Sequence, residues 1–423
     1  MKQDKASAFR SDDYLAFAAT TLIGFRYQLQ PGLTTDIVAT VLTLPLWISV
    51  VAAYKHIRPL IATGVIMVLA SLLLSWDTAA SQPVSWETAS GVVRFAVFTI
   101  MSLGPLCWAR TRIGVVGIAL AYSAGAMLRG LLSSAVDIGL LWKYGLALPV
   151  AYLLLAVLVA TRARMRTCMT TFCMLALVGV LNDYRSYTGI CLLTALLLVV
   201  HRRQPLHSRA LHKPLRTAAL ITALAASVYY LFSAAAVGGL LGSDIQAVSK
   251  SQAGGDSIAL ILGGRPEWAA TLSLMMNNPT GYGAGAVPTS IDLAWAKEGL
   301  SSTTLGIGGN YVNDYMFGGA FKLHSLIADF WVNFGLPGLA WTLALAAFFV
   351  MRLTRAPGDP ARRAMVSFAS IAGIWFLLFG PILSNLPDVI FLVALVAEGA
   401  KSQVQAVPTS STNRGESAQH DLA

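Results

Sequence analysis

The chain has 423 residues, of which 56% are hydrophobic and only 12% charged, and its mean hydropathy is +0.65. Soluble domains carry roughly 25% charged residues, so this composition excludes an ordinary water-soluble fold of this size. The formal net charge of +10 would suggest nucleic acid in a soluble protein. Here the basic residues lie in short segments between apolar blocks, so we expect no nucleic-acid partner.

The apolar blocks are roughly 16–22 residues long, about the length that an α-helix needs to cross a bilayer. Backbone polar groups in lipid must be paired within their own segment, so these blocks should be helices. We therefore predict an all-α polytopic membrane protein with about twelve transmembrane helices, embedded in a lipid bilayer. The predicted spans lie at about 13–30, 37–54, 59–76, 91–109, 113–131, 143–161, 167–182, 187–201, 217–237, 334–351, 364–383 and 387–400.

The loops between these spans alternate in charge along the whole chain. Most of the 30 Lys and Arg lie in every second loop or near the termini, for example Arg110, Arg164, Arg202 and Arg355. By the positive-inside rule, that side is cytoplasmic, and both termini lie there.

One connection on the other side, from about residue 238 to 333, is long enough to suggest a functional loop. We divide the chain into an N-terminal bundle of about nine spans (1–237), this periplasmic catalytic loop (238–333), the C-terminal transmembrane helices (334–401) and a disordered cytoplasmic tail (402–423). Short helices are predicted in the loop at about 265–277 and 322–333.

The second of these helices carries one apolar stripe, formed by Leu323, Leu326, Ile327, Phe330 and Trp331. Such a stripe predicts a helix that lies on the membrane surface with its apolar face down. The glycines and proline of the run from Gly335 to Gly338 then predict a break before the next span.

Three residues outside the predicted membrane are candidates for catalysis. Of the six histidines, His324 alone falls in the outer segments, where it either acts on a hydroxyl group or is simply a wetted polar residue. Arg185 lies in a tight turn between two spans, and Arg265 lies in the large loop. A planar guanidinium suits phosphate or diphosphate through paired hydrogen bonds.

Other cations lie near the outer ends of their spans, namely Arg26, Arg94, Arg129 and Lys143. They either line an electropositive cavity or reach toward lipid headgroups. No nucleotide-binding loop, zinc motif or paired acidic motif accompanies them, so we expect neither a metal nor a cofactor.

Together these features resemble the O-antigen ligase and Wzy-type polysaccharide polymerase superfamily. The similarity covers the span pattern and three short motifs. These are Asn182-Asp-Tyr-Arg-Ser186; Gly264-Arg-Pro-Glu-Trp268 with Asn278-Pro-Thr-Gly-Tyr-Gly-Ala-Gly285; and His324-Ser325 with Asn333-Phe-Gly-Leu-Pro-Gly338.

The resemblance implies a multi-pass protein of the bacterial inner membrane that transfers sugar, with inversion and without metal, from a polyprenyl-diphosphate-linked oligosaccharide. It implies that His324, Arg265 and Arg185 are catalytic. Substrate contacts are expected from Arg265, Arg185, Lys322, Glu267, Tyr311 and Asp314. A chain-length regulator and a flippase are the implied protein partners.

Three alternatives stay open at this point. The enzyme either polymerises repeat units of an exopolysaccharide or O-antigen, which we favour, or ligates glycan to a lipid A core. From another class, the chain is a non-catalytic transporter of lipid-linked saccharide or a component of an export complex. His324 either removes the proton of the acceptor hydroxyl or only orients it.

Overall fold

The computed structural model describes residues 11–52, 54, 56–133, 138–203, 219, 223, 238, 267–301 and 310–398. Apart from residues 219 and 223, the predicted ninth span lies outside these residues, as do Arg265 and the predicted tail. Over the described part, the chain is helical apart from connections and one short hairpin.

The N-terminal part begins with α1 (Ser11–Phe25), which leads into an antiparallel hairpin of β1 (Gln28–Gln30) and β2 (Leu33–Thr34). The next helices are α2 (Thr35–Leu42), α3 (Leu44–Ala52), α4 (Ile57–Thr78), α5 (Trp86–Met101) and α6 (Leu103–Ser133). After them come α7 (Ile138–Leu141), a π-helical segment (Trp142–Leu146), α8 (Ala147–Ala160), α9 (Met165–Leu181) and α10 (Arg185–Arg203).

The C-terminal part consists of the described loop segments and three long helices. The loop contains α11 (Glu267–Asn277), α12 (Ser290–Ser301) and a π-helical turn (Tyr311–Met316). It leads into α13 (Leu326–Thr354), α14 (Pro360–Phe379) and α15 (Ile382–Val396). Helix α11 confirms the helix predicted at about 265–277, whereas α12 and the π-helical turn were not predicted.

Several of these helices are long and apolar enough to cross a membrane. Five stretches qualify by length and composition, namely Ile57–Thr78, Trp86–Ser133, Trp142–Ala160, Leu326–Thr354 and Pro360–Phe379. A sixth is the pair α2 and α3, which is bent by 70°. The all-α architecture is therefore confirmed over the described residues, while twelve spans remain a prediction.

Two glycines interrupt long helices where the sequence predicts an interruption. Gly114 has a φ of 70° inside α6, close to the basic loop predicted between two spans. Gly335 has a φ of 66° inside α13 and separates residues 326–334 from the remainder of that helix. A positive φ is accessible to glycine without steric cost, so both breaks follow from local sequence.

Helix α15 forms the centre of the C-terminal part. Residues 386–397 are all buried, and α15 packs against α14, α13 and α6. Around Phe391, the ring of Tyr122 stacks at 3.8 Å and the ring of Tyr152 lies at 5.0 Å, measured between centroids. These aromatic contacts join the N-terminal and C-terminal helices into one core.

The prediction of a surface helix at 322–333 is wrong. The helix begins at Leu326, and Leu326, Phe330 and Trp331 of its apolar stripe are at most 1% exposed. Its opposite face is also buried, including Asp329 at 3% exposure. The apolar stripe reflects packing within the protein, because periodicity alone does not distinguish a protein neighbour from lipid.

A glycine-rich segment, 279–287, connects α13 to the turn between α4 and α5. The N–H groups of Tyr282 and Gly283 both donate to the Val332 carbonyl, at 3.0 and 2.9 Å. On the other side, Ser75 Oγ donates to the Ala284 carbonyl at 2.9 Å. Gly281, Gly283 and Gly285 all have positive φ, so they serve backbone geometry here.

We expect Gly283→Ala to lower the free energy of unfolding by about 2 kcal/mol. A Cβ at this position would lie 2.6 Å from the Ser75 nitrogen, and its φ of 88° is also unfavourable for alanine. The measurement is the melting temperature of the detergent-solubilised protein.

Gly319→Ala is the matched control, because Gly319 has a φ of 82° and, among described atoms, no neighbour within 4 Å of an added Cβ. Equal melting temperatures for the two variants would contradict the close packing of this segment against α4.

Candidate functional site

The corner between α14 and α15 anchors two separate loop segments. Trp268 Nε1 donates a hydrogen bond to the Leu378 carbonyl at 3.0 Å. Ser325 Oγ donates to the neighbouring Leu377 carbonyl at 3.2 Å. The last carbonyls of a helix have no partner within it, so these side chains satisfy groups that would otherwise be orphaned. Trp268 and Ser325 are thereby held against the same helix end.

His324 is fixed in an unusual backbone conformation by hydrogen bonds on both of its sides. Its φ is 52°, in the left-handed region that is costly for a residue with a Cβ. Before it, the Leu323 N–H donates to Asp329 Oδ1 at 3.2 Å. After it, Ser325 caps α13 by accepting the Ala328 N–H at 3.4 Å. These anchors determine where the imidazole points.

The buried Asp329 carboxylate also connects this segment to α15. Its second oxygen, Oδ2, accepts the Ile382 N–H at 2.9 Å. One carboxylate therefore holds the backbone before His324 and the first residue of α15 together. No local pattern indicates this role, because an acidic residue in the first turn of a helix is common.

An aromatic column links His324 to Glu267. The imidazole stacks on the Tyr315 ring with centroids 5.0 Å apart and an interplanar angle of 8°. The Tyr315 ring lies 5.1 Å from the Tyr311 ring. Tyr311 Oη then donates a hydrogen bond of 2.5 Å to Glu267 Oε1. We call Glu267, Tyr311, Tyr315 and His324 the stacked column; the sequence analysis named three of its members and missed Tyr315.

Glu267 is the first residue of α11 and is only 6% exposed. The N-terminus of a helix favours a negative charge. Its oxygen Oε2 is buried, and no described residue donates a hydrogen bond to it. Burying a carboxylate oxygen without a hydrogen-bond donor costs free energy. Glu267 Oε2 is therefore an acceptor that does not contribute to the stability of the fold.

Arg185 begins α10 and is paired locally. Its Nε lies 3.1 Å from Asp183 Oδ1, and its side chain is 33% exposed. A cation at a helix N-terminus opposes the helix dipole, so helix stability does not explain an arginine here. No direct contact between Arg185 and the stacked column is present among the described residues.

The remaining candidates have different surroundings. Lys322 and Asp314 are both exposed. Asp314 lies in the π-helical turn, and Lys322 lies between that turn and His324. Lys322 is held through its backbone N–H, which donates to the Met316 carbonyl at 2.9 Å. Tyr282 is 1% exposed, and burial, followed by the nearby Asp292 charge, raises its pKa.

The cations near the outer ends of the predicted spans have different surroundings. Arg26 Nε lies 3.6 Å from Asp36 Oδ2, and its guanidinium lies 5.0 Å from the centroid of the Phe95 ring. Arg26 is therefore enclosed by protein, which argues against the lipid-headgroup alternative at this position. Arg94 is exposed, and its guanidinium lies against Gly32 in the β1–β2 turn.

The sequence analysis also missed a buried acid inside the helical bundle. Asp388 in α15 is 6% exposed, and its Oδ1 accepts hydrogen bonds from Tyr122 and Tyr152, each at 3.3 Å. Asp388 could have been found from the sequence as a lone acidic residue in an apolar block. Placing an acidic side chain in a membrane costs free energy, so such residues usually have partners within the protein.

Within the described ranges, no group of three or more His, Cys, Asp and Glu side chains is arranged to hold a metal ion. Comparisons with protein-family profiles, with curated proteins and with solved structures find no match to this chain. The stacked column and its anchors therefore have to be interpreted from their own chemistry.

We expect Asp329→Asn to destabilise the fold by about 1–3 kcal/mol. The Asp329 oxygens accept the buried N–H groups of Leu323 and Ile382, and in asparagine one of these N–H groups would face an amide N–H₂ in place of an acceptor. The measurement is thermal unfolding in detergent. Asp359→Asn is the matched control, since Asp359 caps α14 by accepting the Arg362 N–H and asparagine caps equally well. Similar melting temperatures for both variants would contradict the anchoring role.

Proposed function

We propose that this chain is a membrane glycosyltransferase of the O-antigen ligase and Wzy-type polymerase superfamily. It transfers an oligosaccharide from a polyprenyl-diphosphate carrier to an acceptor hydroxyl, with inversion and without a metal ion. The product is a polymer of exopolysaccharide or O-antigen repeat units. The reaction takes place at the periplasmic face of the bacterial inner membrane.

The observation that carries this proposal is the meeting of two motifs at one helix end. Trp268 closes the motif that contains Arg265, and Ser325 follows His324 in a second motif more than fifty residues later. Both side chains bind adjacent carbonyls at the end of α14, a helix long and apolar enough to cross a membrane. A site at such a position suits a substrate whose carrier is lipid and whose reacting group is polar.

The chemistry that such a site has to perform is modest. The diphosphate leaving group gains negative charge as the glycosidic bond breaks, so fixed cations stabilise the transition state more than the ground state. Arg185 and Arg265 are the proposed cations. Lys322, Glu267, Tyr311 and Asp314 are proposed to contact the sugars or the phosphates, with His324 beside them.

The proposal includes a topology of about twelve spans, with both termini in the cytoplasm and the large loop in the periplasm. It also includes two functional partners, a flippase that delivers the lipid-linked unit and a regulator of chain length. The alternation of basic loops along the sequence supports this topology. A cysteine-accessibility map of the loops in intact cells is the direct test of it.

We expect Arg265→Ala and Arg185→Ala each to lower the rate of glycosyl transfer by roughly 10²–10³-fold, by analogy with the loss of an oxyanion donor. The assay contains purified protein, an extracted polyprenyl-diphosphate oligosaccharide and EDTA, and its products are resolved on a gel. Arg166→Ala is the control, because Arg166 is exposed in the first turn of α9, on the predicted cytoplasmic side.

A ladder of repeats on the lipid carrier identifies a polymerase, whereas a single transfer to added lipid A core identifies a ligase. Wild-type rates in a folded Arg265→Ala variant would refute the assigned role of Arg265. Binding of the donor by wild-type protein without turnover on either acceptor would favour transport or a role in an export complex.

A further inference from the structure

In the hydrogen bond between Tyr311 and Glu267, the identity of the donor determines which further hydrogen bonds the pair can make. An ionised carboxylate only accepts hydrogen bonds, so the Tyr311 hydroxyl is the donor. Hydrogen bonds from a hydroxyl to a carboxylate are short and strong, typically about 2.5–2.7 Å. The lone pairs of Tyr311 Oη consequently face away from Glu267 and are suited to accept a hydrogen bond from another hydroxyl.

The two residues differ in their access to a substrate. Glu267 is nearly fully buried, whereas Tyr311 is partly exposed beside the exposed Tyr315 and Asp314. A sugar hydroxyl therefore reaches the tyrosine oxygen more readily than the carboxylate. A carboxylate has two acceptor oxygens, and no described residue donates to the buried Glu267 Oε2, so the carboxylate retains acceptor capacity beyond its bond from Tyr311.

We propose that Tyr311 and Glu267 form the proton-accepting pair of the glycosyl transfer, a proposal that rests on the function proposed above. As the acceptor oxygen forms its bond to the anomeric carbon, the acceptor proton moves to Tyr311 Oη. The phenolic proton moves at the same time to Glu267 Oε1. The bond from the anomeric carbon to the phosphate oxygen breaks, and its electron pair leaves with the diphosphate.

His324 has the orienting role in this arrangement. Its ring lies flat against Tyr315, and the left-handed backbone of His324 is fixed by the Leu323 and Ser325 hydrogen bonds. Tyr315 in turn contacts the Tyr311 ring. The stacked column thus extends from an anchored backbone to the hydroxyl that meets the acceptor, and it holds that hydroxyl in place.

The test uses the full-length protein and the variants Tyr311→Phe and Glu267→Gln, which remove the hydroxyl and the charge with little change in volume. We expect each variant to lower kcat by roughly 10²–10⁴-fold, the usual contribution of a general base, with little change in the KM for the lipid-linked donor. The double variant should lose no more than either single one.

The matched controls are Glu298→Gln on the exposed face of α12 and Tyr144→Phe, whose ring is 77% exposed. Both should retain the wild-type rate and pH profile. A folded Tyr311→Phe variant with wild-type kcat would overturn the pair while leaving the glycosyltransferase assignment intact. A folded Glu267→Gln variant with wild-type kcat would do the same. Absence of transfer by the wild-type protein would instead overturn the proposed function itself.

Discussion

The structure depends on the pairing of backbone groups at the corner where α14 ends and α15 begins. The carbonyls of Leu377 and Leu378 and the N–H of Ile382 lie in the interior, and a buried backbone group without a partner costs free energy comparable to a lost hydrogen bond. The partners are the side chains of Ser325, Trp268 and Asp329. Because side chains of α11 and of the start of α13 satisfy one helix corner, these two elements cannot separate from the corner without exposing its backbone groups. The position of the candidate site is a consequence of this requirement.

That corner also keeps the segment around His324 rigid, as the proposed catalysis requires. His324 adopts a conformation that costs about 1–2 kcal/mol for a residue with a side chain, and it persists because its neighbours on both sides are anchored. The stacking of His324, Tyr315 and Tyr311 transmits this rigidity to the hydroxyl that contacts Glu267. A reacting group that is positioned before the substrate binds avoids reorganisation during the reaction.

The sequence predicted the features that are determined locally. The break at Gly335 and the helix α11 follow from glycine, proline and apolar spacing within a few residues. The burial of residues 326–334 was not predictable, because an apolar stripe has the same spacing against protein as against lipid. The roles of Asp329 and Tyr315 were not predictable from the sequence either. Their partners, Ile382 and His324, are defined by tertiary contacts that no local pattern encodes. His324 was selected from its outer position, and Glu267 and Tyr311 from the resemblance, but the hydrogen bond between Tyr311 and Glu267 required coordinates.

Three residues near the proposed reaction centre each have a feature that is unfavourable for the stability of the fold. Arg185 places a cation at a helix N-terminus, Glu267 buries an oxygen that no described residue satisfies, and His324 has a positive φ. Natural sequences agree locally with their folds almost everywhere, and exceptions concentrate where function requires them. Each of these three lies in one of the motifs that carry the resemblance, so the proposed glycosyl transfer gives the three exceptions one common explanation.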